Sequence, residues 1–249
     1  MQNNIALQLY SLRELTAKDP LAGLQLAAEL GFKNVELAGT YGYTAKEFAA
    51  VLSNYGLKPV SAHIALNAAP DDLKRRAEEL NLLGCGACVC PCPPTAITTP
   101  EGCEQALTQI LAAQKIFQSA GIAFGYHNHD SEFNPLPNGT RFIDLVVQSG
   151  ILLQPDVYWV QFAGVDPYRF IEQHTGKILS LHFKEIDENG NNVELGTGIL
   201  NWQRLNELGK TAGAAYNILE QEEYTLPLTQ SITLCAQNLK KLFPGAKIQ

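Results

Sequence analysis

The chain has 249 residues, 46% hydrophobic and 17% charged, with a formal net charge of −7. A chain of this length buries most of its unfolded surface, so its core needs no disulfide or zinc staple. The negative charge argues against a surface that tracks nucleic-acid phosphates, and no segment approaches the ~18 continuous apolar residues of a membrane span. A small-molecule substrate is expected, with no nucleic acid and no membrane as partner. The start, "MQNNIALQLYSLRE", lacks the basic and apolar regions of a signal peptide, so a cytoplasmic location is expected.

Short apolar runs alternate along the chain with amphipathic stretches. "IALQLYS" reads as a first strand, followed by a helix in "DPLAGLQLAAELG". "KNVELAG" and "PVSAHI" are the next strands, followed by helices in "TAKEFAAVLSNYG" and "PDDLKRRAEELNLLG". The fourth and fifth strands lie in "ACVCPC" and "IAFGYHNH", and between them "EGCEQALTQILAAQKIFQSAG" reads as a long helix. "LLQPDVYWV", "ILSLHFKEI" and "YNILEQE" are the last three strands. Helices are expected in "NGTRFIDLVVQSG", "DPYRFIEQHTG", "NWQRLNELGKTAG" and "LTQSITLCAQNLKKLF".

Gly31, Gly56, Gly84, Gly121, Gly150, Gly176 and Gly213 each fit a helix stop. A strand–helix unit repeated eight times predicts an α/β fold of the (β/α)8 TIM-barrel type, one domain over residues 1–249. An open doubly wound sheet would usually carry a Gly-rich phosphate turn after its first strand, and "QLYSLRE" has none.

Cys85, Cys88, Cys90 and Cys92 fall in "CGACVCPCPP". Their C-x-x-C-x-C-x-C spacing does not match the paired knuckles of a zinc ribbon. Cys88, Cys90 and Cys92 alternate as one face of a strand, so they are expected to pack as small buried hydrophobes with reduced thiols.

Alternation within the strands separates a lumen face from a helix face. Glu36 opposes Val35 and Leu37, and Ser61 and His63 oppose Val60 and Ala62. Gly125, His127 and His129 share a parity, as do Gln154 with Asp156, Ser180 with His182 and Lys184, and Ile218 with Glu220 and Glu222. Leu179, Leu181 and Phe183 are expected on the helix side. Ionisable groups at the C-terminal ends of barrel strands point to a catalytic mouth, because buried charge is costly unless paired or bound to metal.

The last four strands offer His127 or His129, then Asp156, His182 and Glu220. That imidazole and carboxylate set suits one divalent ion, with Mn2+, Co2+, Zn2+, Fe2+ or Mg2+ as the expected cofactor. Lys184 is positioned to stabilise a developing enolate. Glu36, His63, His129, Glu132 and Glu194 are candidates for contacting substrate.

"QLYSLRE", "GFKNVELAGTYG", "SAHI", "GYHNHDSEF", "DVYWVQFAGVDP", "LHFKEID", "ELGTGILNW" and "ILEQE" occur in that order. Together they resemble the sugar phosphate isomerase/epimerase family of xylose isomerase-like barrels, and within it the subgroup whose fifth strand reads "YHNHDFEF". The resemblance implies one divalent metal held by Glu, Asp, His and Glu from strands five to eight. Asp156, His182 and Glu220 match the last three of these, while His127, with His129 as the other choice, stands where relatives keep the first glutamate.

In ketose 3-epimerases of this fold the first and last glutamates move the proton. Here a histidine, or Glu132 reaching in, must replace the first. Pro155, before Asp156, is a second departure. The expected function is a metal-dependent sugar or polyol isomerase or epimerase, in which Glu220 or His127 takes a proton alpha to a carbonyl and Lys184 supports the oxyanion. A dehydratase or lyase acting on a keto-inositol or 3-keto-glycoside would use the same chemistry. An apurinic endonuclease is disfavoured by five histidines and the negative charge, and a non-catalytic sugar-binding barrel is the remaining alternative.

Overall fold

The computed structural model of the chain describes residues 4–244. Residues 1–3 and 245–249, the ends of the expected 1–249 domain, lie outside the described residues. An 8-stranded parallel sheet curls into a nearly closed barrel. Its strands are β1 (Ile5–Gln8), β2 (Asn34–Leu37), β3 (Lys58–His63), β4 (Ala87–Cys90), β5 (Ala123–His127), β6 (Leu152–Gln154), β7 (Leu181–Phe183) and β10 (Asn217–Leu219). A short antiparallel hairpin, β8 (Glu185–Ile186) with β9 (Asn192–Val193), stands above β7. The expected TIM barrel is thus the fold of the chain.

Helices α1 (Arg13–Thr16) and α2 (Pro20–Glu29) follow β1, and α3 (Ala45–Asn54), α4 (Pro70–Leu83) and α5 (Pro100–Ser119) follow the next three strands. Then come α6 (Phe142–Gln148), α7 (Val157–Phe162), α8 (Pro167–Gln173), α9 (Trp202–Ala212) and α10 (Leu228–Leu242). Local chemistry starts and stops them. The Asp19 side chain accepts the Leu21 and Ala22 N–H groups ahead of Pro20, and Thr44 and Glu47 form a reciprocal capping box. Gly84 (φ 68°) and Gly213 (φ 96°) end α4 and α9 in the left-handed region, a backbone conformation that other residues rarely adopt.

The core lies between strands and helices. Phe124 packs on Phe117, Tyr126 on Phe142 and Phe183 on Trp202, with ring centroids 5.9, 5.9 and 4.8 Å apart. Cys85, Cys88, Cys90 and Cys103 belong to this core, as small hydrophobes would. Cys92 lies past the end of β4 and is exposed, so the alternation expected to include it stops at Cys90.

Two strands end earlier than their sequences suggest, and a third slips in alternation. β1 ends at Gln8, whose side chain accepts the Tyr10 N–H as the backbone turns into a 3-10 helix at Leu9–Leu12. β6 ends at Gln154, and "VYWV" begins α7 instead of continuing the strand. Before β7 the alternation slips. Leu179, expected on the helix side, reaches Gly125, where an added β-carbon would sit 2.7 Å from Leu179 Cδ2.

Candidate active site

The barrel's C-terminal mouth is organised around a buried polar layer. Register aligns Gln8 with Glu36 and Glu36 with Ser61, so their side chains meet in the lumen. Glu36 accepts hydrogen bonds from Gln8 (2.7 Å), Ser61 (2.5 Å), Gln154 (2.7 Å) and His182 Nε2 (2.7 Å). His63 Nε2 lies 3.1 Å from the same carboxylate. Burial opposes ionisation of Glu36, yet the His63 and His182 imidazoles outweigh it and hold the carboxyl well below its ordinary range. Glu36, expected to touch substrate, is fully buried with both oxygens engaged, and instead supports the layer above.

Four candidates rise from that layer. His127 ends β5, His182 lies in β7 and Glu220 directly follows β10. Asp156 caps α7, with Oδ1 accepting the Tyr158 (2.9 Å) and Trp159 (3.3 Å) N–H groups. Its own N–H donates to Asn128 Oδ1, 3.2 Å away. His127, Asp156, His182 and Glu220 can each offer one ligand atom, all within 4.8 Å of one another, and all four residues are buried. His127 therefore joins the cluster. His129 stands outside it, half-buried, with its ring 5.0 Å from His127 and 5.4 Å from Trp159.

His182 bridges two carboxylates, with Nδ1 3.0 Å from Glu220 Oε2 and Nε2 on Glu36. Burial pushes its pKa down, but Glu220 and Glu36 prevail and raise it to about 10. Glu220, pushed up by burial, is held at about 2 chiefly by His182. Burial lifts Asp156 to about 7 against the pull of Lys184. Burial, then the positive neighbours His182 and His63, push His127 well below the usual imidazole range, so it is neutral.

Among the described residues, Asp156 Oδ2 and His127 Nδ1 are buried without a hydrogen-bond partner. Orphaned donor atoms in a closed site are costly unless something coordinates them. Two imidazoles and two carboxylates, with vacant lone pairs on His127 and Asp156, fit a divalent transition metal. The residues present match that group.

Lys184 Nζ lies 4.0 Å from Asp156 Oδ2 and pairs with Glu222. It also sits over the rings of Tyr158 (4.9 Å) and Trp159 (4.7 Å). Burial lowers its pKa, but Asp156, Glu220 and Glu222 more than compensate and keep it a cation. A cavity of about 350 Å3 opens above the cluster, and His63, His127, His129 and Glu220 line it.

Two expected substrate contacts lie elsewhere. Glu132 accepts from Tyr126 Oη (2.8 Å) and Ser131 Oγ (2.7 Å), and Tyr126 packs on the helix side of β5. It therefore does not reach in to replace the first glutamate. Glu194 accepts from the Thr225 N–H at 3.1 Å and from the Thr225 hydroxyl, anchoring the loop after β10. Glu132 sits in a short 3-10 helix, Ser131–Phe133, and Glu194 in a loop, where strand alternation gives no face. Glu222 and Tyr10, which line the cavity, were not among the expected contacts. Glu222 shares the parity of Glu220, a signal present in the sequence.

The C-terminal mouth of a parallel barrel, the end where barrel active sites are built, thus holds a buried His–Asp–His–Glu cluster that could hold a metal ion. The model of the xylose isomerase-like TIM barrel family matches residues 24–239, and the chain belongs to that family. No curated protein matches the chain. Two sugar phosphate isomerase/epimerases from Parabacteroides distasonis ATCC 8503 are similar in structure. One is 21% identical with a TM-score of 0.85, covering 99% of this chain and 96% of its own. The other is 24% identical with a TM-score of 0.83, covering 96% and 98%. The IOLI protein, solved with a bound zinc atom, is 14% identical with a TM-score of 0.70 and covers 99% of both chains.

Proposed function

We propose that this chain is a divalent-metal-dependent sugar or polyol isomerase or epimerase that moves a proton alpha to a carbonyl. The convergence of His127, Asp156, His182 and Glu220 beneath an open cavity carries this reading. The names of the Parabacteroides proteins and the zinc in IOLI support it. Those four side chains would hold the ion. When bound, it supplies Lewis acidity that polarises a carbonyl and acidifies the adjacent C–H.

The protein's own groups then divide the work. Glu220 is ionised, lines the cavity and takes the proton. Once protonated, Glu220 returns the proton to the carbon skeleton, and His127 and His129, both pushed down by burial and therefore neutral, line the same cavity as further proton acceptors. Lys184, a buried cation beside Asp156, favours negative charge developing on the substrate oxygen. Glu36 fixes the ring of His182, as a carboxylate behind a metal-binding histidine does.

The test is solvent exchange. Incubation of the metal-loaded protein with ketoses and 3-keto sugars in D2O is expected to place deuterium at a single carbon next to the carbonyl. Absence of exchange with every such sugar, with metal bound, would sink the proton-transfer reading.

A further inference from the structure

The cavity's charge pattern separates neutral from anionic substrates. Among the described residues no lysine or arginine lines it, while two carboxylates, Glu220 and Glu222, do. The positive charges around it are turned to other work: His63, which lines the cavity, lies 3.1 Å from Glu36 Oε1, and His182 is held between Glu36 and Glu220. Lys184 is 1% exposed and sealed behind Glu222, whose side chain is 25% exposed. The Arg13 guanidinium lies 4.9 Å over the Tyr10 ring and donates to Tyr224 Oη at 3.0 Å and to the Glu222 carbonyl. The cavity therefore meets acceptor oxygens at Glu222, with their countercharge held underneath.

Tyr10 supplies the complementary surface. The residue is 44% exposed and lines the cavity, and its ring carries Arg13 over one face. An aromatic face held this way packs well against the C–H groups of a sugar ring at small entropic cost.

We propose that Tyr10 and the Lys184-backed carboxylate of Glu222 form a recognition subsite for an uncharged polyhydroxylated substrate. Glu222 accepts substrate hydroxyls, Tyr10 packs against the carbon skeleton, and phosphorylated or acidic sugars are turned away by the paired carboxylates. This deepens the sugar or polyol reading above and rests on it. Hydroxyl donors bonded to a carboxylate gain charge-assisted strength, whereas a phosphate at the same place brings like charges together in a partly desolvated cleft.

Calorimetric titration of the Mn2+-loaded chain with two matched pairs tests it: D-fructose against D-fructose 6-phosphate, and myo-inositol against myo-inositol 1-phosphate. The neutral member of at least one pair is expected to bind about tenfold or more tightly than its phosphate. Glu222→Gln is expected to weaken the neutral ligand about tenfold and to narrow that preference. Comparing it with the wild type in the same metal state separates Glu222 from any phosphate–metal contact. Tyr10→Ala, at an exposed position, should weaken the neutral ligand several-fold and leave the preference intact.

Equal or tighter binding of the phosphates, binding of neither pair, or an unchanged preference in Glu222→Gln overturns the proposal. Neutral-selective binding without deuterium exchange leaves this subsite standing and removes the proton-transfer reading instead.

Discussion

The two ends of the barrel hold cavities of nearly equal size, about 350 Å3 at the C-terminal mouth and about 360 Å3 at the N-terminal floor. Their chemistry differs sharply. The mouth gathers three imidazoles and two carboxylates, while the floor is lined by Pro59, Leu179, Ser180 and Tyr216, with Lys58 as its charged residue. Between them lies the layer of Gln8, Glu36, Ser61, Gln154 and Ser180, joined side chain to side chain. Volume alone does not mark a site. The convergence of ionisable groups that need one another does.

Three substitutions test that contrast, from the largest effect to the smallest. At the mouth, Glu220→Gln removes the proposed base and is expected to cut solvent exchange by roughly 100- to 10,000-fold. Exchange near the wild-type rate would move the base elsewhere in the cavity. In the layer, Glu36→Gln keeps the shape but removes the charge behind His182. Metal affinity, read by competition with a chelator, is expected to fall about 10- to 100-fold. Unchanged affinity would show that Glu36 serves packing alone. At the floor, Lys58→Ala alters the charged residue there, and both exchange and metal affinity are expected to stay within about twofold, as for most surface changes. A tenfold loss would break the distinction between the two ends.

Much of this contrast was legible in the sequence, because alternation and strand order are local. They placed Glu36, Ser61, His63, His127, Asp156, His182 and Glu220 in the lumen without reference to their neighbours. Depth along the lumen is not local. Glu36 and Glu220 share a lumen-facing assignment, yet one lies under the cluster and the other within it. The choice between His127 and His129 had the same origin, since both sit on one face of the same segment and only distance to Asp156 and His182 separates them.

The misread segments also have a physical cause. "DVYWV" is as apolar as a buried strand, but the Asp156 side chain satisfies the first N–H groups of a helix, and that cap wins. The slip before β7 depends on Gly125 leaving room for Leu179, a tertiary fact. Glu132 and Glu194 were expected to contact substrate because a carboxylate outside a strand, in a 3-10 turn or a loop, carries no alternation to place it. Their partners, Tyr126 and Thr225, come from elsewhere in the fold.

The strand order runs β6-β5-β4-β3-β2-β1-β10-β7, and β6 meets β7 through isolated bridges at Leu153–Ile178 and Asp156–His182. The His182 N–H donates to the Pro155 carbonyl at 2.9 Å across this join. The barrel is thus most thinly stitched between two of the residues proposed to share an ion. An ion gripped from both banks would act as a clasp on the cylinder, so occupancy of the site and the tightness of the whole wall become one property. Amide hydrogens along Leu152–Gln154 and Leu181–Phe183 should then exchange more slowly when the clasp is shut, far more than those between β2 and β3 on the opposite wall.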